Sequence, residues 1–240
     1  MTATKTNAYL ATKVGVCFEN ISQPCYNISR KQALFERVML LTSELPYTSS
    51  IRNMPLMYSE MKRTALLLCE GKTPEEILQL SVEKNIYQLS AEKRRREVAF
   101  RMTKRLSTIK LPLIELLAND SSDETRLVAF LAFMKADRLL FEYMAEVYSE
   151  KYHAGFEEVA DKNFLDFIDR KTQNCETVAK WSADILKNIR TKIKNTLITA
   201  ELAKRTKDGF IIQKPLLCEN LCTLLDENDR AYARAMLLEV

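Results

Sequence analysis

Glycine and proline are both scarce in this chain, which has only 4 glycines and 6 prolines in 240 residues. Average usage would place about 17 glycines and about 12 prolines in a chain of this length. Tight turns, β-bulges and phosphate-binding loops need glycine, because it adopts left-handed backbone angles without strain. The glycines, at positions 15, 71, 155 and 209, are too far apart for a GxGxxG or Walker loop. The scarcity therefore favours a mostly helical protein and excludes these phosphate-binding enzymes.

Hydropathy indicates a protein with a sizeable core and no membrane span. Hydrophobic residues make up 47% of the chain, enough to build a packed interior. The longest apolar run, residues 127–134, is far shorter than the roughly 20 residues that a spanning helix needs. The N-terminus lacks the apolar stretch of a signal peptide. We therefore expect a cytoplasmic protein with no membrane partner, whose six cysteines are reduced and serve as small buried residues.

Helical periodicity and capping signals predict an all-α protein with two lobes. The predicted units are an N-terminal helical extension (1–46), an N-terminal lobe (47–154) and a C-terminal lobe (155–240). Clear signals are Gly71 as a helix C-terminus, Thr73-Pro74 as a helix start, and Ser182 as the cap of a long helix. The predicted helices are 30–43, 56–70, 74–84, 90–108, 124–151 (one helix or two), 163–172, 176–180 and 182–204, with two short ones after residue 215.

The order of elements in the C-terminal lobe resembles a helix-turn-helix. Helix 163–172 is followed by the short helix 176–180 and the long helix from Ser182. Asp208-Gly209 is a turn signal, and the β-prone residues 210–212 follow it. These residues predict a minimal β wing, although other three-helix packings have a similar pattern.

The net charge of +4 conceals two strongly basic helices. Residues 90–110 contain eight basic and two acidic side chains, and so do residues 180–207. Residues 111–170 between them contain 13 acidic and 6 basic side chains. Positive helices of this kind are typical of proteins that bind nucleic acid, but a solvated helix face has the same composition.

Helical geometry selects the basic residues that are candidates for DNA contact. Arg94, Arg101 and Arg105 form a narrow stripe beside the apolar face of the first basic helix. In the second helix, the basic residues and Thr191 lie away from the predicted buried face, as groove docking requires. The candidate DNA-binding residues are Lys93, Arg94, Arg95, Arg101, Lys104, Arg105, Lys187, Arg190, Thr191 and Lys194.

Catalytic and metal-binding patterns are absent from the sequence. His153 is the only histidine. Of the cysteines, only Cys218 and Cys222 are close in sequence, which is too few ligands for a zinc site. Acidic pairs such as Glu75-Glu76 stand at helix starts, where the helix dipole accounts for them. We therefore expect a protein that is not an enzyme and has no metal or cofactor.

An ordered set of short motifs resembles the BrxA family of bacterial BREX (bacteriophage exclusion) systems over about four-fifths of the chain. The motifs are Glu60, LLLCEGKT at 66–73, Glu75-Glu76, EKNIYQLS at 83–90, Lys93-Arg94, Lys104-Arg105-Leu106, Trp181-Ser182 and PLL at 215–217. No single motif is diagnostic, and the resemblance rests on their order. Residues 1–46 have no counterpart in it.

The resemblance implies a small helical cytoplasmic protein of a phage-defence system that acts together with other BREX proteins. The family is also similar to the antitermination factor NusB, a helical RNA-binding protein. From the basic helices and the resemblance together, we expect a component that binds double-stranded DNA mainly through phosphate contacts. The alternatives are a NusB-like RNA-binding factor and a protein–protein adaptor that binds no nucleic acid. The resemblance brings no catalytic residues.

Overall fold

A computed structural model describes residues 44–120, 122–216 and 218–239. The predicted helix 30–43 and nearly all of the predicted extension 1–46 lie outside the described residues. The described chain is mostly helical and contains one small antiparallel sheet. The prediction of a mostly helical fold is therefore correct, and residues 210–212, predicted as a minimal β wing, do lie in a strand. The sheet is larger than predicted, because it has three strands.

The first helices of the described chain are a 3₁₀ helix, Ser50–Arg52, followed by α1 (Tyr58–Cys69), α2 (Pro74–Glu83), α3 (Glu92–Leu106) and α4 (Leu111–Asn119). Capping starts and stops them as predicted. Gly71 has φ +81° after α1, and Thr73 forms a capping box with Glu76, whose backbone N–H donates to Thr73 Oγ1 at 3.2 Å. Helix α4 is absent from the sequence prediction. Its Pro112 lies in the first helical turn, where a missing N–H costs nothing.

The central helical stretch is broken once, at Asp137. Helix α5 (Glu124–Ala136) ends there, and α6 (Arg138–Tyr143), a π-helical turn (Met144–Ser149) and α7 (Glu150–His153) follow. Asp137 has an extended backbone conformation, and its Oδ1 accepts a hydrogen bond from the Leu140 N–H at 3.1 Å. This is the N-cap geometry that starts a new helix. The sequence left open one helix or two over residues 124–151, and the break at Asp137 shows that there are two.

The C-terminal part alternates helices with three short strands. Its elements are β1 (Glu158–Ala160), α8 (Asp161–Asn174), α9 (Glu176–Ala179), α10 (Ala183–Thr199), β2 (Ala203–Arg205), β3 (Gly209–Ile212), α11 (Glu219–Leu224) and α12 (Arg230–Ala235). Ser182 caps α10, as predicted, by accepting from the Ile185 N–H. Helix α10 ends at Thr199 rather than 204, because the next residues pair as β2.

The three strands form one antiparallel sheet in the order β1-β3-β2. In this sheet Val159 lies opposite Phe210, and both side chains are buried. A Cβ on Gly209 would stand 2.1 Å from the Val159 carbonyl oxygen. Gly209 is therefore required by the close approach of β1. The predicted turn at Asp208-Gly209 lies where the β2–β3 connection ends, and Gly209 itself is the first residue of β3.

One continuous hydrophobic cluster connects both predicted lobes. Every residue of α5 from Leu127 to Met134 is buried in it. Helix α12 packs against α5 and the π-helical turn. The Tyr148 hydroxyl lies 2.7 Å from the Leu202 carbonyl oxygen and 3.0 Å from that of Gln213, so the central helices hold both ends of the β2–β3 hairpin. The division at residues 154 and 155 stays a prediction.

Candidate nucleic-acid interface

Helix α3 has a buried face and an outer face of different character. Val98, Ala99, Met102 and Leu106 are buried against the core. The opposite side is exposed, and its side chains are Lys93, Arg96, Glu97, Phe100 and Lys104. Of these, Lys93 and Lys104 are among the predicted DNA-binding residues, and the structure places both in solvent.

Arg105, predicted to lie on an exposed stripe, is only 1% exposed. Its Nη1 donates to the carbonyl oxygens of Pro55 (2.7 Å) and Leu56 (3.1 Å), and its Nη2 donates to that of Met54. The guanidinium also stacks on Phe133, with 3.5 Å from Cζ to the ring centroid. Burial lowers the pKa of Arg105 to about 9, so the group stays charged at pH 7. The prediction of an exposed Arg105 is wrong, because the stripe borders the apolar face and residues 54–56 cover it.

Arg94 and Arg95 are partly buried and hold loops in place. Arg94 donates to the Asn53 carbonyl oxygen and lies 3.6 Å from Glu97. Arg95 donates to three carbonyl oxygens, that of Val82 in the last turn of α2 and those of Leu89 and Ser90 in the connection from α2 to α3. Arg101 is half-buried on the same border of α3. Helical spacing alone did not reveal that Arg94 and Arg95 bind backbone carbonyls of this protein, nor that Arg101 is half-buried.

In α10, the predicted residues divide into an anchored pair and an exposed pair. Lys194 Nζ lies 2.8 Å from Asp161 Oδ1, and Arg190 Nε lies 3.6 Å from Asp161 Oδ2. Lys194 is 9% exposed, so its prediction as a surface contact is wrong in this structure. Asp161 is the first residue of α8, and the two ion pairs attach α10 to that helix end. Lys187 and Thr191 are exposed, as predicted.

The outer face of α10 is polar over its first half. At 3.6 residues per turn, Asp184, Lys187, Asn188 and Thr191 share one side of the helix, and all four side chains are exposed. Asn188 was missed as a candidate, although its position one residue after Lys187 gives it the same exposure. The arrangement offers hydrogen-bond donors and acceptors to the edges of bases.

The β2–β3 hairpin adds a second basic surface beside α10. Lys204, Arg205 and Lys207 are exposed, and Arg205 donates to Asn195 Oδ1 of α10. The hairpin is tied to β1 as well, since Thr206 Oγ1 donates to Glu158 Oε1 at 3.0 Å. The sequence placed these cations on the long helix 182–204 or just after it. In the structure the helix ends at Thr199, and the cations lie on the β2–β3 hairpin instead.

The two basic helices meet the same short segment, residues 50–56. Its 3₁₀ helix, Ser50–Arg52, packs against α10. The backbone carbonyls that follow it, at residues 53–56, accept hydrogen bonds from Arg94 and Arg105 of α3. No local sequence pattern indicates this junction, because the contacts join residues about 40 to 150 positions apart in the sequence.

Residues 44–120, 122–216 and 218–239 hold neither a cluster of metal ligands nor a membrane-spanning helix. No group of three or more histidine, cysteine or acidic side chains there is placed to hold a metal ion. No helix in these ranges is long and apolar enough to cross a bilayer. The four described cysteines are free. Of these four, Cys218 is the buried one, and its burial raises the thiol pKa to about 11. Cys69 is exposed, contrary to the prediction of buried cysteines.

Comparison with known proteins identifies the family. The BrxA family model matches residues 45–229, which is most of the chain. The chain belongs to the BrxA family. A curated BrxA relative, the BREX protein BrxA of Bacillus cereus (strain H3081.97), is 30% identical over 177 residues that cover 74% of this chain and 88% of the relative. The family membership confirms the resemblance drawn from the ordered motifs.

A solved structure shares the fold. The crystal structure of an uncharacterized protein from Magnetospirillum magneticum superimposes with a TM-score of 0.67. The match covers 79% of this BrxA-family chain and 97% of that protein, at 18% sequence identity. At this identity the similarity concerns the fold alone.

Proposed function

We propose that this chain is a non-enzymatic component of a BREX phage-defence system and that it binds double-stranded DNA. The first part follows from membership in the BrxA family and from the Bacillus cereus relative, which is named a BREX protein. Other BREX proteins are accordingly its proposed protein partners. The second part rests on the order and placement of the C-terminal elements.

The observation that carries the proposal is the strand order β1-β3-β2, with α8, α9 and α10 inserted between β1 and β2. We infer that these elements form a winged helix-turn-helix, in which α10 is the recognition helix and the β2–β3 hairpin is the wing. The Asp161 N–H donates to the Asp208 carbonyl oxygen at 2.8 Å, so the hairpin turn lies against the start of α8. The hydrogen bond from Arg205 to Asn195 places the hairpin against α10.

The exposed face of α10 suits a DNA groove. A recognition helix contacts base edges mainly through residues in its N-terminal half, and here those residues include Lys187, Asn188 and Thr191. Asn and Thr exchange hydrogen bonds with base edges, while Lys also binds phosphate. Asp161 fixes the orientation of the helix by pairing with Arg190 and Lys194. In this proposal the two anchored cations position α10 and do not touch the DNA.

Six further exposed cations are proposed to bind phosphates. They lie on the hairpin (Lys204, Arg205, Lys207) and on the outer face of α3 (Lys93, Arg96, Lys104). Each phosphate that they neutralise releases condensed counterions, and this release supplies much of the affinity for duplex DNA. Arg95 and Arg105 are not among the proposed DNA contacts, because their guanidinium groups already donate hydrogen bonds to backbone carbonyl oxygens.

A salt-titrated gel shift tests the proposal. We expect the wild-type protein to bind a duplex, and the double variant Lys187→Glu/Lys207→Glu to lose about tenfold or more in affinity at low salt. Its log affinity should also depend less steeply on log salt, by about 0.9 for each lost phosphate contact. The matched control is Arg63→Glu/Arg230→Glu, which reverses two exposed arginines on α1 and α12 and should bind like the wild type.

The same assay decides between the alternatives. Competition by RNA that displaces the duplex at lower concentration than unlabelled DNA would favour the NusB-like reading. Absence of binding to either nucleic acid at low salt would favour a protein–protein adaptor. Equal binding by the double variant and the control would contradict the placement of the site on α10 and the hairpin.

A further inference from the structure

Phe100 is an exposed aromatic residue at the centre of a basic surface. Its side chain is 63% exposed, more than any other aromatic side chain of the described residues. It lies on α3 opposite the buried residues Val98 and Met102. The core makes no use of this ring, so its apolar area remains in contact with water.

Cations surround the ring on its own helix. At 3.6 residues per turn, Lys93, Arg96 and Lys104 lie within about 40° of Phe100 around the helix axis, and all three are exposed. The acidic neighbours are engaged, since Glu92 pairs with Arg96 at 2.7 Å and Glu97 with Arg94 at 3.6 Å. Both pairs are open to solvent, so a phosphate can replace the carboxylates at little cost. The surface therefore suits a partner that alternates anions with flat apolar rings, which is the chemistry of nucleic acid.

The shape of the surface favours duplex DNA over a single strand. Proteins that bind single strands line a groove with several aromatic side chains, on which successive bases stack. Phe100 is instead a single ring on the convex side of a helix. Apolar wedges of this kind enter between base pairs, partly unstack them and kink the duplex.

We propose that Phe100 is such a wedge, and that Lys93, Arg96 and Lys104 hold the phosphates on either side of the kinked step. The inference rests on the proposed binding of duplex DNA and adds a deformation of the DNA to it. In this arrangement α3 bends the duplex, α10 contacts the edges of its bases, and the hairpin binds its phosphates.

A duplex that carries 2-aminopurine at alternate steps and a fluorophore pair at its ends tests the wedge. 2-Aminopurine brightens when its neighbours unstack, and energy transfer between the ends reports bending. We expect wild-type protein to raise both signals. Phe100→Ala should abolish both and weaken binding about fivefold or more, whereas Phe100→Leu keeps an apolar wedge and should keep the bend. The control is Leu66→Ala, which removes a 39% exposed side chain from α1.

The outcomes separate the wedge from the proposed function. If the wild type binds the duplex but neither signal rises, the wedge is overturned and DNA binding stands. If Phe100→Ala bends and unstacks the duplex like the wild type, Phe100 is not the wedge. If the wild type binds no duplex at all, both proposals fail, and Phe100 then belongs to a protein-binding surface.

Discussion

At the scale of single residues, Arg105 shows how a basic side chain can serve the core. Its position on a basic stripe of α3 is indistinguishable in the sequence from that of a phosphate ligand. What decides its role is the segment Met54–Leu56, which covers the stripe and offers three carbonyl oxygens to the guanidinium. Helical spacing locates the border of a buried face only to within about one residue, because a partner segment can cover either side of it.

Replacing Arg105 is expected to destabilise the protein. Arg105→Met fills the space but leaves three carbonyl oxygens without a donor, and we expect a loss of about 2–4 kcal/mol in the free energy of unfolding. Arg105→Lys should recover part of this, because an ammonium cannot match the planar fork of the guanidinium. Urea denaturation measures both. Lys104→Met, on the exposed side of the same turn, should change stability by less than about 0.5 kcal/mol; an Arg105→Met variant as stable as that control would contradict the assignment.

At the scale of elements, local signals located most helices, whereas long-range pairing decided the rest. Helix ends depend on local residues: Thr73 and Ser182 are N-caps, and Gly71 takes the left-handed conformation that ends α1. Such signals can be recognised from the neighbouring sequence alone. Strand β1 has three residues, and it pairs with β3, which follows about 50 residues later, so nothing near β1 in the sequence indicates a strand. Helix α4 is not predicted because a proline can mark either the end of a preceding helix or the first turn of a new one. From the sequence, Pro112 marks the end of the predicted helix 90–108, whereas in the structure it lies in the first turn of α4.

Asp161 is expected to set the position of α10 against α8. Asp161→Asn keeps the size of the side chain but removes the charge that pairs with Lys194 and Arg190. Because Lys194 is then buried without its counter-charge, we expect a loss of about 1–3 kcal/mol in stability. Two cations are released from their partner, so non-specific affinity for DNA should not fall. Thermal unfolding and the gel shift measure the two effects.

The control for Asp161 is an acid on the surface of α10 itself. Asp184→Asn removes an exposed carboxylate and should leave the unfolding temperature nearly unchanged. Coincident unfolding of Asp161→Asn and Asp184→Asn would show that the ion pairs do not anchor the helix. A fall in non-specific affinity with Asp161→Asn alone would show that the orientation of α10 outweighs the released charge.

At the scale of the whole molecule, the candidate site is assembled from distant parts of the chain. Lys187 and Thr191 could be predicted from α10 alone, since the exposed side of an amphipathic helix follows from its apolar spacing. The hairpin cations could be located only once the sheet was known. The outer face of α3 could be defined only once the segment 50–56 was seen to cover the other side of its basic stripe. Because α3 and α10 pack on that segment, their exposed surfaces are held at a fixed separation by one core.

A fixed separation predicts that both surfaces contribute to binding one duplex. Lys93→Glu/Lys104→Glu on α3 and Lys187→Glu/Lys207→Glu on α10 and the hairpin should each lower the salt dependence of binding, by about 0.9 per lost phosphate contact. In the quadruple variant the two reductions should add, because the sites share no contacts. Gel shifts over a range of salt concentrations, with one duplex for all four proteins, measure the slopes. If either double variant retains the wild-type slope, that surface lies off the DNA, and the charge concentrated there serves a protein partner instead.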